Sequence, residues 1–156
     1  MGVIGILRHL CCSGITLCVV KDNMVNIYVE RESFSEVIRV LRMSRFLRYT
    51  QLLDIICVDK LVEGRLELMY VVVSLQRRER LFLRIEVLER SMMISMMNEY
   101  KSSGWLEREV WDMFGLFFYG NNDLRRILTD YGFEGHPLRK SFPLGGYFEV
   151  SYLFKW

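Results

Sequence analysis

Residues 66–75 read Leu66-Glu-Leu-Met-Tyr-Val-Val-Val-Ser-Leu75, and this run decides the fold. Apolar side chains occupy both parities, which suits a central strand covered on each side. Gln76-Arg77-Arg78-Glu79-Arg80 follows and reads as a charged, solvated loop. Beyond it Leu81, Leu83, Ile85 and Val87 alternate with Phe82, Arg84, Glu86 and Leu88, the period of two that marks a strand. The two runs predict a hairpin within a sheet.

Further elements lie on either side. Ile15–Val20 and Met24–Val29 flank Lys21-Asp22-Asn23 and predict another hairpin. Ser33 and Glu36 have the spacing of a capping box at a helix start. Phe34, Val37, Ile38 and Leu41 share one helical face, and Arg42, Arg45 and Arg48 gather near the C-terminal end, where the macrodipole favours cations. Leu52–Val58 predicts a strand. Met92, Met93, Met96, Met97 and Tyr100 recur at helical spacing and read as a core-facing helical stripe. Residues 1–20 are apolar but broken by Arg8 and His9, and too short to cross a bilayer. A signal peptide would call for a positively charged start and an Ala-x-Ala site, which are missing, so a short helix followed by a strand is expected. The fold class is therefore α+β: a two-layer sandwich of a mixed sheet of about five strands with two covering helices, plus an extended C-terminal docking segment. Residues 1–104 read as the compact part, and residues 105–156 as a helix and interface segment of the same domain.

Residues 105–118 predict a helix with Gly115 near its end. Stepping by 100° puts Leu106, Val110, Met113 and Phe117 on one face. Trp111 falls about 130° away by the same stepping, beside Glu107, Arg108 and Asp112. A tryptophan there needs cover, either from the following tail or from a partner that it anchors. The tail itself reads Asp123-Leu-Arg-Arg-Ile-Leu-Thr-Asp-Tyr-Gly-Phe-Glu-Gly-His-Pro-Leu-Arg-Lys140. Neither strand nor helix period survives across it. Interleaved charges, fixed turns and spaced apolar residues suit a shaped docking surface.

Composition narrows the function classes. A formal charge of +2 gives no argument for nucleic acid or an anionic membrane. The cysteines at 11, 12, 18 and 57 have neither zinc-site nor disulfide-framework spacing and read as reduced small hydrophobes. His9 and His136 are the only histidines, so nucleophilic triads and metal clusters find few candidates. Glu107 and Glu109 could pair as carboxylates, but positions i and i+2 on a helix point apart. Alanine is absent, and only two prolines and three threonines occur. These residues share codons with C at the second position, and alanine is otherwise the best helix former. The bias therefore reads as genomic, of the kind seen in organelle genomes.

Two motifs carry a resemblance: Trp105-Leu-Glu-Arg-Glu-Val-Trp-Asp-Met-Phe-Gly115, and Asp123–Lys140 followed by Phe142-Pro-Leu and Gly146-Tyr. Together they resemble the C-type, thirty-kilodalton subunit of respiratory complex I, NADH:ubiquinone oxidoreductase, called NADH dehydrogenase subunit nine in mitochondria. The form around Asp130–His136 resembles the mitochondrial and proteobacterial branch. The resemblance implies a core structural subunit of the peripheral arm with no catalytic, cofactor-binding or metal-binding residues of its own. Flavin and iron–sulfur clusters would reside in partner subunits. The C-terminal segment would lie along the large hydrogenase-like subunit of the quinone module. That role falls on Asp123, Arg125, Arg126, Asp130, Glu134, His136, Arg139 and Lys140, with Trp111 as a further interface residue. A hetero-oligomer at the matrix face of the mitochondrial inner membrane is implied, touching the membrane only through partners and binding no nucleic acid. The sequence departs from the family pattern at Asn121-Asn122, at Ser141, and in stopping at Trp156 where many relatives continue. The alternatives are the equivalent subunit of a membrane-bound hydrogenase and an RNA-binding α+β module using Arg77, Arg78 and Arg80. The RNA reading lacks the aromatic-rich strand that such modules stack bases on.

Overall fold

A computed structural model describes residues 15–21, 24–60 and 64–148. Five strands form one sheet: β1 (Ile15–Lys21), β2 (Met24–Val29), β3 (Gln51–Lys60), β4 (Arg65–Ser74) and β5 (Glu79–Leu88). Their order is β1-β2-β5-β4-β3. The β2–β5 pair is parallel and the other pairs are antiparallel, so the sheet is mixed. The expected helix in residues 1–14 lies outside the described residues.

Alternation sets the core face. Ile27 and Val29 on β2, Leu81, Leu83, Ile85 and Val87 on β5, and Leu66, Leu68, Tyr70 and Val72 on β4 are all buried. Leu52, Ile55 and Cys57 continue this face on β3, past an irregularity between Leu52 and Asp54. Helix α1 (Phe34–Met43) lays Phe34, Val37, Ile38 and Leu41 on it, with the Phe34 and Tyr70 rings 4.6 Å apart. The helix starts where expected, but no capping box forms. Ser33 already has helical backbone angles (φ −88°, ψ −4°), and its hydroxyl makes no capping bond. A side-chain cap needs the extended backbone that aims the hydroxyl at the first free N–H groups.

Strand β4 is an inner strand, beside the middle strand β5, but no helix among the described residues covers its other face. Val71 is buried there by neighbouring side chains. Along the same face Lys60 bridges Glu67 and Glu86, while Arg84 holds Glu67 and Arg65 holds Glu86.

Two expectations from helical spacing fail together. Met92–Ile94 is a short strand, β6, and turns follow it; Phe117–Tyr119 is a second short strand, β7, and the two pair in parallel. The methionine stripe is half right: Met93, Met96 and Tyr100 enter the core, while Met92 is exposed. Nonlocal pairing, including Ser95 N–H to the Tyr119 carbonyl at 2.8 Å, takes the backbone groups that a helix would use. The second covering helix is instead α2 (Ser103–Phe114), which begins before residue 105. Gly115 ends it in the left-handed region (φ 72°), its N–H bonded to the Trp111 carbonyl at 2.8 Å.

Candidate docking site

Helix α2 buries a broader face than its apolar spacing indicated. Val110 and Phe114 are buried, but so are Glu107, Arg108 and Asp112, while Leu106 and Met113 are only partly covered. Phe117 lies off the helix and is exposed. The strap, residues 121–148, folds back along α2 and covers Arg108 and Asp112, while Glu107 is covered by the segment after β6 and by Asn121.

Asp112 is the fastening point. One carboxylate oxygen accepts the N–H groups of Ile127 (3.1 Å), Leu128 (2.8 Å) and Thr129 (3.0 Å). The other accepts the Thr129 hydroxyl at 2.7 Å and Arg126 Nη1 at 2.9 Å. Successive backbone N–H groups around one anion form a nest. Burial by itself raises the carboxyl's pKa, but these donors outweigh it and hold the group at about 2 instead of 3.8. Arg126 also donates to the Gly135 carbonyl (3.0 Å) and stacks over Trp111 and Phe133 at 5.7 and 5.8 Å. The strap therefore supplies the cover that Trp111 requires.

The strap also caps the helix. The last four carbonyls of an α-helix have no partner within it. Here Gly115 N–H takes that of Trp111, and His136 Nδ1 lies 3.0 Å from that of Asp112. Since a carbonyl only accepts, Nδ1 carries the proton. Leu138 N–H takes the Met113 carbonyl at 3.2 Å, and Arg139 Nε donates to that of Phe114. A guanidinium there also suits the negative end of the helix dipole. A Cβ on Gly115 would overlap the His136 ring, so the glycine serves both the turn and the packing. Lys140 N–H reaches Asp59 near the end of β3 at 2.9 Å, tying the strap to the sheet.

Glu107 is a second buried carboxyl of opposite character. It accepts Ser95 Oγ (2.7 Å), Met96 N–H (2.7 Å) and Asn121 Nδ2 (2.9 Å), so it staples β6 and the start of the strap to α2. No cation pairs with it among the described residues. Burial pushes its pKa up, and the hydrogen bonds pull it only partly back. Glu109 is exposed on the other side of the helix, so the two carboxyls do point apart.

The motif thus sorts into two sets. Trp111, Arg126, His136 and Arg139 are half-buried and hold the strap to α2 within the chain. Asp123 and Arg125 pair at 3.0 Å on the surface, where Asp123 also approaches Arg108 at 3.7 Å. Asp130, Glu134 and Lys140 are exposed, with Leu128, Tyr131, Leu138, Leu144, Tyr147 and Phe148 exposed around them. Phe142 packs between Phe133 and Tyr147, giving this outward surface a base of its own. Sequence reasoning missed Asp112 and Glu107 as the fasteners; their placement beside Trp111 on a charged face was the available signal.

Among the described residues no group of three or more His, Cys, Asp or Glu could hold a metal ion, and no helix is long and apolar enough to cross a membrane. Burial pushes the Cys57 thiol up to about 12, with Asp59 adding to it. The fold and site define a class: an α+β sandwich whose C-terminal strap is fastened inward by charge and presents an apolar, mixed-charge face outward. The chain belongs to the family described as the respiratory-chain NADH dehydrogenase, 30 Kd subunit, whose model matches residues 27–148. It is 44% identical over 137 residues to NADH-ubiquinone oxidoreductase subunit 9 of Dictyostelium discoideum, covering 85% of this chain and 66% of that protein. It is 45% identical over 133 residues to the C-type subunit of NADH-quinone oxidoreductase from Erythrobacter litoralis, covering 85% of this chain and 52% of that one. The chain thus spans less than two thirds of these relatives. A solved trypsin-resistant fragment of Nqo5 superposes with a TM-score of 0.67 at 26% identity, covering 80% of this chain and all of the fragment.

Proposed function

We propose that this chain is a non-redox core structural subunit of NADH:ubiquinone oxidoreductase, respiratory complex I. Its outward strap face docks on the large subunit of the quinone module and supports electron transfer from NADH to ubiquinone there. The redox groups, flavin and iron–sulfur clusters, belong to neighbouring subunits. The chain sits in the peripheral arm at the matrix face of the mitochondrial inner membrane and reaches the membrane only through partners. The absence of alanine supports encoding in the mitochondrial genome. The strap and the sandwich act as one domain, joined through Asp112 and Asp59.

One observation carries this reading. A strap whose inward groups are satisfied still exposes six large apolar residues together with Asp130, Glu134 and Lys140. Exposed apolar side chains rimmed by charge mark a protein interface. The test replaces outward residues only, as in Tyr131→Ser with Leu138→Ser. The purified variant should keep its thermal midpoint, while assembly of the holoenzyme and NADH-driven quinone reduction fall. Full assembly and activity in that variant would remove the docking assignment.

A further inference from the structure

The strap joins the sheet near Asp59, at the C-terminal end of β3. At the other end of the same strand the turn after α1 and the β4–β5 turn come together, with Arg77 Nη1 3.5 Å from the Phe46 carbonyl oxygen. The segments that meet here are rich in arginine: Arg39, Arg42, Arg45 and Arg48 in α1 and its turn, Arg77 and Arg78 in the hairpin turn, and Arg80 at the start of β5. Glu99 is taken by Arg39 and Arg42, and Glu79 by Arg77. Arg45, Arg48, Arg78 and Arg80 are exposed and make no ion pair among the described residues. The same segments expose three large apolar side chains: Phe46 at 76%, Met43 at 73% and Leu75 at 63%. Both turns also hold an arginine in the left-handed region, Arg48 at φ 46° and Arg78 at φ 53°, where side chains other than glycine's are uncommon.

We propose that this end of the sheet is a second docking surface, distinct from the strap, that takes an acidic segment of a neighbouring polypeptide bearing a large apolar side chain. Charge complementarity argues for the acid: the three partnered arginines of the patch all hold carboxylates, and the planar guanidinium matches a carboxylate with two parallel bonds. The apolar component follows from Phe46, Met43 and Leu75, because aromatic residues, Met and Arg are the types enriched where proteins meet. RNA fits less well, since single strands bind on platforms of several aromatic rings and Phe46 is the one aromatic exposed in these turns. The two docking surfaces stand about 30 Å apart along β3, by the rise of a ten-residue strand. A chain gripped at both ends would brace two neighbours against each other.

The test uses the assembled enzyme carrying Arg48→Lys and Arg78→Lys, treated with a water-soluble carbodiimide, which joins an amine to a carboxylate only within ion-pair reach. The expected result is an amide link from position 48 or 78 to an Asp or Glu of one neighbouring subunit, absent from the parent enzyme. Arg48→Glu with Arg78→Glu should then raise the dissociation constant for that neighbour at least ~10-fold at low salt. Links confined to this chain, no links at all, or protection of these positions only by cardiolipin-containing vesicles or by added RNA would each overturn the proposal.

Discussion

Replacing Asp112 by Asn tests the fastening of the strap most directly. A carboxyl held at about 2 instead of 3.8 corresponds to about 2.5 kcal/mol of preference for the ionised form in the folded chain. The asparagine side chain has nearly the same shape but no charge. It also turns an N–H₂ toward groups that are themselves donors: either the three amides of 127–129, or Arg126 and the Thr129 hydroxyl. The loss should therefore be at least about 2.5 kcal/mol while the strap stays attached. For a chain of this size that lowers the thermal midpoint by about 5–10 °C. Local detachment of the strap limits the damage, because the freed amides then reach water. Hydrogen exchange should locate the change, with protection lost at Ile127, Leu128 and Thr129 before the core strands. The pH dependence supplies an internal control. The folded pKa is depressed, so the contribution is complete above about 4 and disappears as pH falls through about 2. Parent and variant should converge in stability at that acid limit. A midpoint and amide protection unchanged in Asp112→Asn at neutral pH would refute the reasoning.

Glu107 should behave in the opposite sense. Its folded pKa is raised, so the parent loses stability as pH climbs past the ordinary value of 4.5, and Glu107→Gln should flatten that loss in denaturant titrations at stepped pH. Gly115→Ala meets both a left-handed backbone and the His136 ring. It should cost about 1–2 kcal/mol or more by denaturant midpoint, with exchange accelerating around residues 136–139. Arg125 and Arg139 should part company: Arg125→Ala changes the stability of the purified chain by less than about 0.5 kcal/mol, because its pair with Asp123 is exposed. Arg139→Ala removes a cation from a helix-terminal carbonyl and should cost about 1–2 kcal/mol in the same melt.

The sheet was legible because its signal is local. Alternation in residues 81–88 and the doubled apolar run at 66–75 need only the pleat to become a central hairpin, and Phe34, Val37, Ile38 and Leu41 need only the helical period. Met92–Tyr100 was misread because its spacing satisfies a helix while its backbone bonds go to β7 and to Glu107, partners that the spacing does not encode. Helix α2 was found and Val110 is buried on the expected face, but the period of its apolar residues does not register that Glu107 and Asp112 are buried too, by groups after β6 and in the strap. Gly115 carried the true stop signal, and Phe117 lies beyond it in a strand. The strap motif was recognisable as a unit, yet its residues could not be divided between inward and outward roles. That division depends on which donors Asp112 reaches, and the answer lies in three dimensions.

The capping of α2 by residues 136–139 also has a consequence for synthesis. A ribosome delivers the helix first, and three of its terminal carbonyls must wait about two dozen residues for their native donors. Until then water serves those carbonyls and the last turn frays readily. Nascent chains interrupted before residue 136 would hold a finished sheet beside an unclosed helix, which a protease could distinguish from the full-length product.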